Sequence, residues 1–321
     1  MQIHRMAMRL AVAFVANAVI GCGGSPDQTG AISKENRSPR ITFGQPDVSA
    51  HPYTASVVYR TGSAAPWTSG CTGTLIASRV VATAAHCYGY YLDLPRGEVG
   101  VTFDPVVGDH PRVVVGRYVI HPEFALDFST FPMHDSAVVL LEREVNHVQP
   151  ARLPPAGLLA ALTAAGLMDG RKFDSVGYGT IEPTDPNNPE FDFTTVGTRR
   201  VATGTFISLS ATNLLLSQDP AKGDGGTCIF DSGGPILFAG TNILSSQTQG
   251  GDPFCLSTND TYRLDTADAQ GFLKRYVEIP TRVPVCHAGA VTKNSTVKAA
   301  IRLLLNGDRI GSCGTREEDD G

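Results

Sequence analysis

The sequence has no CxxC pair and no histidine-rich cluster at zinc-ligand spacing, so nothing in it points to a metal site, and no cofactor is expected. It also lacks a basic patch with interleaved aromatics. Its 26 Lys and Arg stand against 31 Asp and Glu, mixed along most of the chain, for a net charge of −5. Nucleic acid is therefore excluded as a partner. No internal repeat is present. The G-x-S-x-G elbow of the α/β-hydrolases is missing too, because that pattern needs glycine where Phe230 stands. What the chain does have is 321 residues with 42% hydrophobic content, 34 glycines and 21 prolines, enough for one large turn-rich domain or two small ones.

The N-terminus reads as an address. His4, Arg5 and Arg9 precede an apolar run over residues 10–20, too short to span a bilayer comfortably. The run ends in Val19-Ile20-Gly21-Cys22, which resembles a bacterial lipoprotein signal in which Cys22 is lipidated and becomes the new N-terminus. The alternative is an ordinary signal peptide with an incidental cysteine. Both make the mature protein an exported one. Residues 23–40, polar and rich in Gly, Ser and Pro, form a tether without a core of its own. Setting Cys22 aside leaves six of the seven cysteines, an even number suited to an oxidising compartment. The obvious pairs are Cys71 with Cys87, Cys228 with Cys255, and Cys286 with Cys313.

From Ile41 onward, short apolar runs recur between turn signals, at 53–59, 73–76, 79–84, 112–120 and 137–141. Valine-rich runs of this length predict strands, and their number predicts an all-β barrel or sandwich. Helical patterns fall at 158–168, 267–277 and 297–305, the last started by Ser295 or Thr296 and stopped at Asn306-Gly307.

Nucleophilic cleavage of a peptide bond needs a hydroxyl to attack, a neutral imidazole to take its proton, and a carboxylate to hold the imidazole in the right tautomer. The chain offers each in a local setting. Thr83-Ala84-Ala85-His86-Cys87 follows a strand, and a Cys71–Cys87 bond would fix the turn that presents His86. Asp135 stands at the mouth of the apolar run Val138-Val139-Leu140-Leu141. Ser232 lies in Phe230-Asp231-Ser232-Gly233-Gly234-Pro235, where the small residues after it let a substrate chain approach. The other seven histidines, His134 among them, lack this strand-and-disulfide setting and are given no role.

TAAHC, an Asp before an apolar strand, and DSGGP, in that order, resemble the trypsin/chymotrypsin family of serine proteases. The resemblance runs from Ile41 to about Val277 and is most specific at the His and Ser motifs. It implies two packed six-stranded antiparallel β-barrels with the triad in the cleft between them, a C-terminal helix, and the first two disulfides. It implies a peptidase domain over 41–279, to which a disulfide-closed extension over 280–321 is added. Gly177-Tyr178-Gly179 and Tyr262-Arg263 fit positions where the family carries similar residues.

The family's zymogens are cut where Arg40-Ile41 stands, and the new ammonium folds inward to the Asp before the nucleophile, here Asp231. Cleavage after Arg40 would then both activate the protein and free it from a Cys22 anchor. The family's oxyanion hole uses the N–H groups at Phe230 and Ser232. Phe230 departs from the usual glycine, and losing one such donor costs about 10²–10³ in turnover. An intact hole is expected. In the specificity pocket, Gly226 occupies the position where trypsin-like members carry Asp, while Asp260 falls on the opposite wall, where an acid would admit basic side chains. A surface turn at Asn259-Asp260 is the plainer alternative. The substrate-pairing strand aligns with Thr248-Gln249-Gly250, with Ser246 as the alternative start.

The expected function is a monomeric endopeptidase acting on protein or peptide substrates, in the cell envelope or secreted after activation, with contact to the membrane only through lipid on Cys22. Two other readings stand beside it: an inactive homologue kept as a binding module, and a processing protease dedicated to one substrate. The extension has too little apolar material to fold alone and is expected to pack on the protease body.

Overall fold

The computed structural model describes residues 41–89, 97–125, 134–181 and 191–314. The expectations for Cys22, the tether and Arg40 lie outside them. The described residues belong to one compact unit.

Strands β2 (Thr54–Arg60), β3 (Thr68–Ala77), β4 (Val80–Thr83), β5 (Glu98–Thr102), β6 (Val114–Ile120) and β7 (Ala137–Leu141) close into an antiparallel barrel in the order β2-β3-β4-β7-β6-β5. Most of the valine-rich runs become strands buried on both faces, though β6 is largely half-buried: all four residues of β4 are inside, and so are the first six of β2. Val57, Leu75, Val81, Val99 and Val139 fill the centre. Branched side chains suit a pleated, fully packed surface.

The second barrel is built from β8 (Lys172–Gly177), β9 (Arg200–Leu209), β10 (Asn213–Ser217), β11 (Pro235–Phe238), β12 (Leu244–Gly251) and β13 (Thr258–Arg263). It is closed by the β8–β9 pairing, and β1 (Gln45–Pro46) adds to it on β9. Much of its interior is polar. Ser175, Ser246, Asn259 and Thr261 are all buried, which is why its strands carry a weak apolar pattern. Arg199, 2% exposed, donates to the carbonyls of Asp47, Thr54 and Phe103 and to the Tyr178 hydroxyl. One guanidinium thus ties the N-terminal segment, the first barrel and the Gly177-Tyr178-Gly179 turn together, and the ion pair with Asp47 offsets its burial.

Three α-helices among the described residues fall within or on the expected spans: α1 (Leu158–Ala164), α2 (Ala267–Leu273) and α3 (Val297–Leu305). α3 begins after Thr296 and ends at Asn306, with Gly307 at φ 89° supplying the left-handed exit. Around α3 the extension forms a three-stranded sheet of β14 (Val283–His287), β15 (Val291–Ser295) and β16 (Arg309–Ile310), in the order β15-β14-β16. A Cys286–Cys313 bond closes it. Val283, Val285, Ala300 and Leu304 join Leu158, Phe173, Leu214 and Ile236 in one apolar cluster, so extension and second barrel share a core.

Candidate active site

β4 delivers the histidine. After Thr83 the chain passes through Ala84 and Ala85, both fully buried, into a tight turn starting at His86, and Cys87 is bonded to Cys71 on β3. At the start of β7, Asp135 is fully buried and gives both oxygens to His86. Oδ1 accepts the His86 backbone N–H at 2.8 Å, and Oδ2 lies 2.7 Å from Nδ1. A carboxylate only accepts, so the ring proton sits on Nδ1 and the lone pair on Nε2 faces outward.

Asp135 is also held from the second barrel. Gln247 on β12 donates its Nε2 to the Asp135 carbonyl at 2.8 Å and to the Thr83 carbonyl at 3.0 Å, clamping both strand ends at once. His134, next to Asp135, has φ 57°. Its Nδ1 bonds Asp268 of α2 at 2.9 Å, and its ring stacks on His121 at 5.0 Å between centroids, 18° apart. His121, Glu123, His134 and Asp268 bring donor atoms within 4.8 Å of one another. His121 Nδ1 accepts the Glu123 N–H, which puts its proton on Nε2, toward Asp268. The cluster reads as a hydrogen-bond network around Asp268. Burial pushes that carboxyl up, but bonds from Tyr262 and His134 outweigh this and hold it below the usual range.

Ser232 arrives from the second barrel. Its carbonyl accepts the Thr72 N–H at 3.0 Å and lies 3.7 Å from Cys87 Sγ, so the Ser232 loop abuts the residue after His86. Among the described residues, the Ser232 amide N–H has no hydrogen-bond acceptor and its hydroxyl none to His86. Gly233, at φ 80°, makes this approach possible: a Cβ there would press on Thr83 Oγ1, Ala84 N at 2.5 Å and Thr72 O at 2.6 Å. Gly233→Ala is expected to cost about 2–5 kcal/mol from the left-handed backbone and overpacking together. It should also cut kcat/KM at least about 10²-fold by displacing Ser232. Urea unfolding and peptide hydrolysis measure the two effects.

Asp231 is fully buried and accepts N–H bonds from Gly179 at 2.7 Å and Cys228 at 2.8 Å. Burial dominates, and its carboxyl is pushed up to about 7 despite those bonds and the charge of Arg200. A Cβ on Gly177 or Gly179 would meet this carboxyl, which explains both glycines. Nearby, Ile41 is 1% exposed. The Thr42 hydroxyl donates to the Gly226 carbonyl at 2.8 Å, and the Gly226 N–H to the Thr42 carbonyl at 3.1 Å. The segment after Arg40 is thus docked against the irregular segment leading to Ser232.

Phe230 has φ 74°. This left-handed backbone is natural to glycine and costs a bulky residue about 1–2 kcal/mol. The glycine-like conformation is kept, with the Thr72 hydroxyl donating to the Phe230 carbonyl at 3.2 Å.

The predicted pocket residues divide. Gly226, Thr248 and Gly250 lie on the segments flanking Ser232, but the Asp260 carboxylate accepts from Asn213 at 2.6 Å, and burial raises its pKa. The neighbouring Asn259 points the other way and accepts the Thr227 hydroxyl at 2.8 Å. Sequence reasoning missed Gln247, Asn259 and Gln218. The Gln218 amide is fully buried against Gly226, and neither its Nε2 nor its Oε1 finds a partner among the described residues. The Thr248 hydroxyl is in the same condition.

Two packed six-stranded barrels, one presenting a His–Asp pair and the other a Ser loop, define a trypsin-like fold. The family profile described as Trypsin matches residues 41–259, and this chain belongs to that family, a family of peptidases. Among curated relatives, it is 28% identical over 194 residues to inactive snake venom serine proteinase 13 of Crotalus adamanteus, covering 57% of this chain and 68% of the relative. It is 25% identical over 228 residues to beta-fibrinogenase mucrofibrase-1 of Protobothrops mucrosquamatus, covering 69% of this chain and 81% of the relative. A solved HL collagenase superposes with a TM-score of 0.56 at 18% identity, over 74% of this chain and 100% of its own. Neuropsin of mouse brain superposes with a TM-score of 0.52 at 19% identity, over 73% and 99%.

Proposed function

We propose that this chain is an exported serine endopeptidase working through an acyl-enzyme. Ser232 attacks the scissile carbonyl, His86 takes and returns its proton, and Asp135 holds the imidazole. The N–H groups of Phe230 and Ser232 bind the oxyanion. The observation that carries this is the buried Asp135, whose two oxygens both serve His86 and leave Nε2 as the base. Cys22 anchors the precursor by lipid, and cleavage after Arg40 releases and activates residues 41–321. No cysteine within residues 23–40 can keep the cut tether attached. The buried, neutral floor of Gly226, Gln218 and Thr248 favours an uncharged polar side chain before the scissile bond, because Asp260 is engaged by Asn213 on the other strand face.

A fluorophosphonate probe followed by peptide mapping tests the mechanism. The expected outcome is one adduct, on Ser232, that forms only after cleavage at Arg40 and is absent from His86→Ala. Labelling elsewhere, or none in folded, cleaved protein, sinks the proposal. The binding-module reading draws support from the relative named as inactive and from the phenylalanine at position 230, and a silent probe would favour it.

A further inference from the structure

Resting on that endopeptidase reading, we propose that Phe230 is a specificity-determining residue for the leaving-group half of the substrate, selecting an aromatic or large aliphatic side chain immediately after the scissile bond. Its ring is half-buried and meets Phe193 edge-on, centroids 6.0 Å apart at 76°. Phe193 is itself 57% exposed. Phe230 forms a wall common to two open clefts. One, of about 730 Å³, is bounded by Trp67, Val107, Phe193 and Val196. The other, of about 420 Å³, is bounded by Tyr59 and Ala65. Both sizes suit side-chain recognition.

The direction of the substrate follows from which residues are absent from these walls. None of Gly226, Thr227, Thr248, Gly250 or Asn259 borders either cleft. With those residues forming the proposed acyl pocket, a peptide crossing Ser232 lays its other half over Phe230 and the start of β3. Pro66, Thr68 and Ser69 line both clefts beside Phe230, and aromatic and aliphatic side chains supply most of the remaining wall. Arg60, bordering the smaller cleft, is committed to Glu98 and to the face of Trp67 at 4.3 Å. Asp109 and His110 also line the larger one. A glycine would hold the left-handed backbone at 230 without strain, so what the phenylalanine adds is its ring. Strain kept beside a nucleophile is the kind of outlier from which a function is inferred.

Aminolysis reads this subsite apart from the acyl pocket. An acyl-enzyme is formed from a peptide ester, and an added amino-acid amide then attacks its carbonyl. The C–N bond forms as the ester bond to Ser232 Oγ breaks, and the amine proton passes through His86 back to that oxygen. With protein starting at Ile41, phenylalaninamide and leucinamide are expected to capture the acyl group at least about tenfold better than glycinamide. Phe230→Gly should bring that ratio within about twofold, and Phe193→Ala should lower it while leaving acylation by the ester unchanged. An equal partition in the parent, or an undiminished preference in Phe230→Gly, overturns the inference. If no acyl-enzyme forms, the peptidase reading fails on its own. NMR titration of Ser232→Ala with the same amides then decides the subsite: tighter binding of phenylalaninamide, lost in Ser232→Ala/Phe230→Gly, upholds it, and equal binding refutes it.

Discussion

Alanine at position 232 is expected to lower kcat toward a preferred peptide by about 10⁶-fold, with KM and Tm nearly unchanged. The side chain is only partly buried, and its hydroxyl makes no bond to His86 in this state, so folding loses little with it. On the proposed mechanism the chemistry loses its nucleophile, and a bound water in its place has no covalent intermediate to form. His86→Ala should do almost the same damage, and the double variant should add little. Residues that act as one unit are strongly non-additive, and the oxyanion donors alone leave a residual about 10³–10⁴ above water. Single-turnover assays on the three variants decide the matter. Residual turnover above about 1% in Ser232→Ala, or losses that simply multiply in the double variant, would mean that another group performs the attack.

The second large effect belongs to Asp231. Its carboxyl stands at about 7 against an ordinary 3.8 because burial disfavours its charge. A raised carboxyl contributes most below about pH 4, where both folded and unfolded chains hold the proton. Stability is then lost as pH climbs toward 7, where only the folded chain still holds it. About three units correspond to roughly 4 kcal/mol. A free Ile41 ammonium folded beside Asp231 would remove that cost by pairing. Protein blocked from cleavage by Arg40→Gln is therefore expected to melt about 8–16 °C below cleaved protein at pH 8. The gap should close near pH 4, and the blocked form should lose at least about 10² in turnover through a disordered oxyanion hole. Calorimetry at the two pH values is the check, and a gap independent of pH would show that the ammonium does not reach Asp231.

Legibility in the sequence followed locality. TAAHC and DSGGP are contiguous because one strand end and one tight turn suffice to present His86 and Ser232. The first barrel announced itself through valine, with β7 apolar on both faces. The second did not. Leu244–Gly251 and Thr258–Arg263 carry Ser, Gln, Thr and Asn into the interior, where they bond one another and so give no apolar alternation. Gln247 could not be foreseen, since its two acceptors lie 164 and 112 residues away. Asn259 and Asp260 were distinguishable only once strand register fixed which one faces Thr227. The C-terminal hairpin escaped because β15 is exposed for four of its five residues.

The shared cluster of the extension and the second barrel bears on where this polypeptide can be divided. The family's similarity ends at residue 259, yet Leu158, Phe173 and Ile236 are covered in part by Val283, Val285 and Leu304. A fragment ending at the family boundary would lose the end of β13 and all of α2, and would turn an oily face outward, inviting aggregation. Residues 280–314 are therefore the keystone of the second barrel, and shortening this protein from its C-terminal end should remove its solubility before it removes its chemistry.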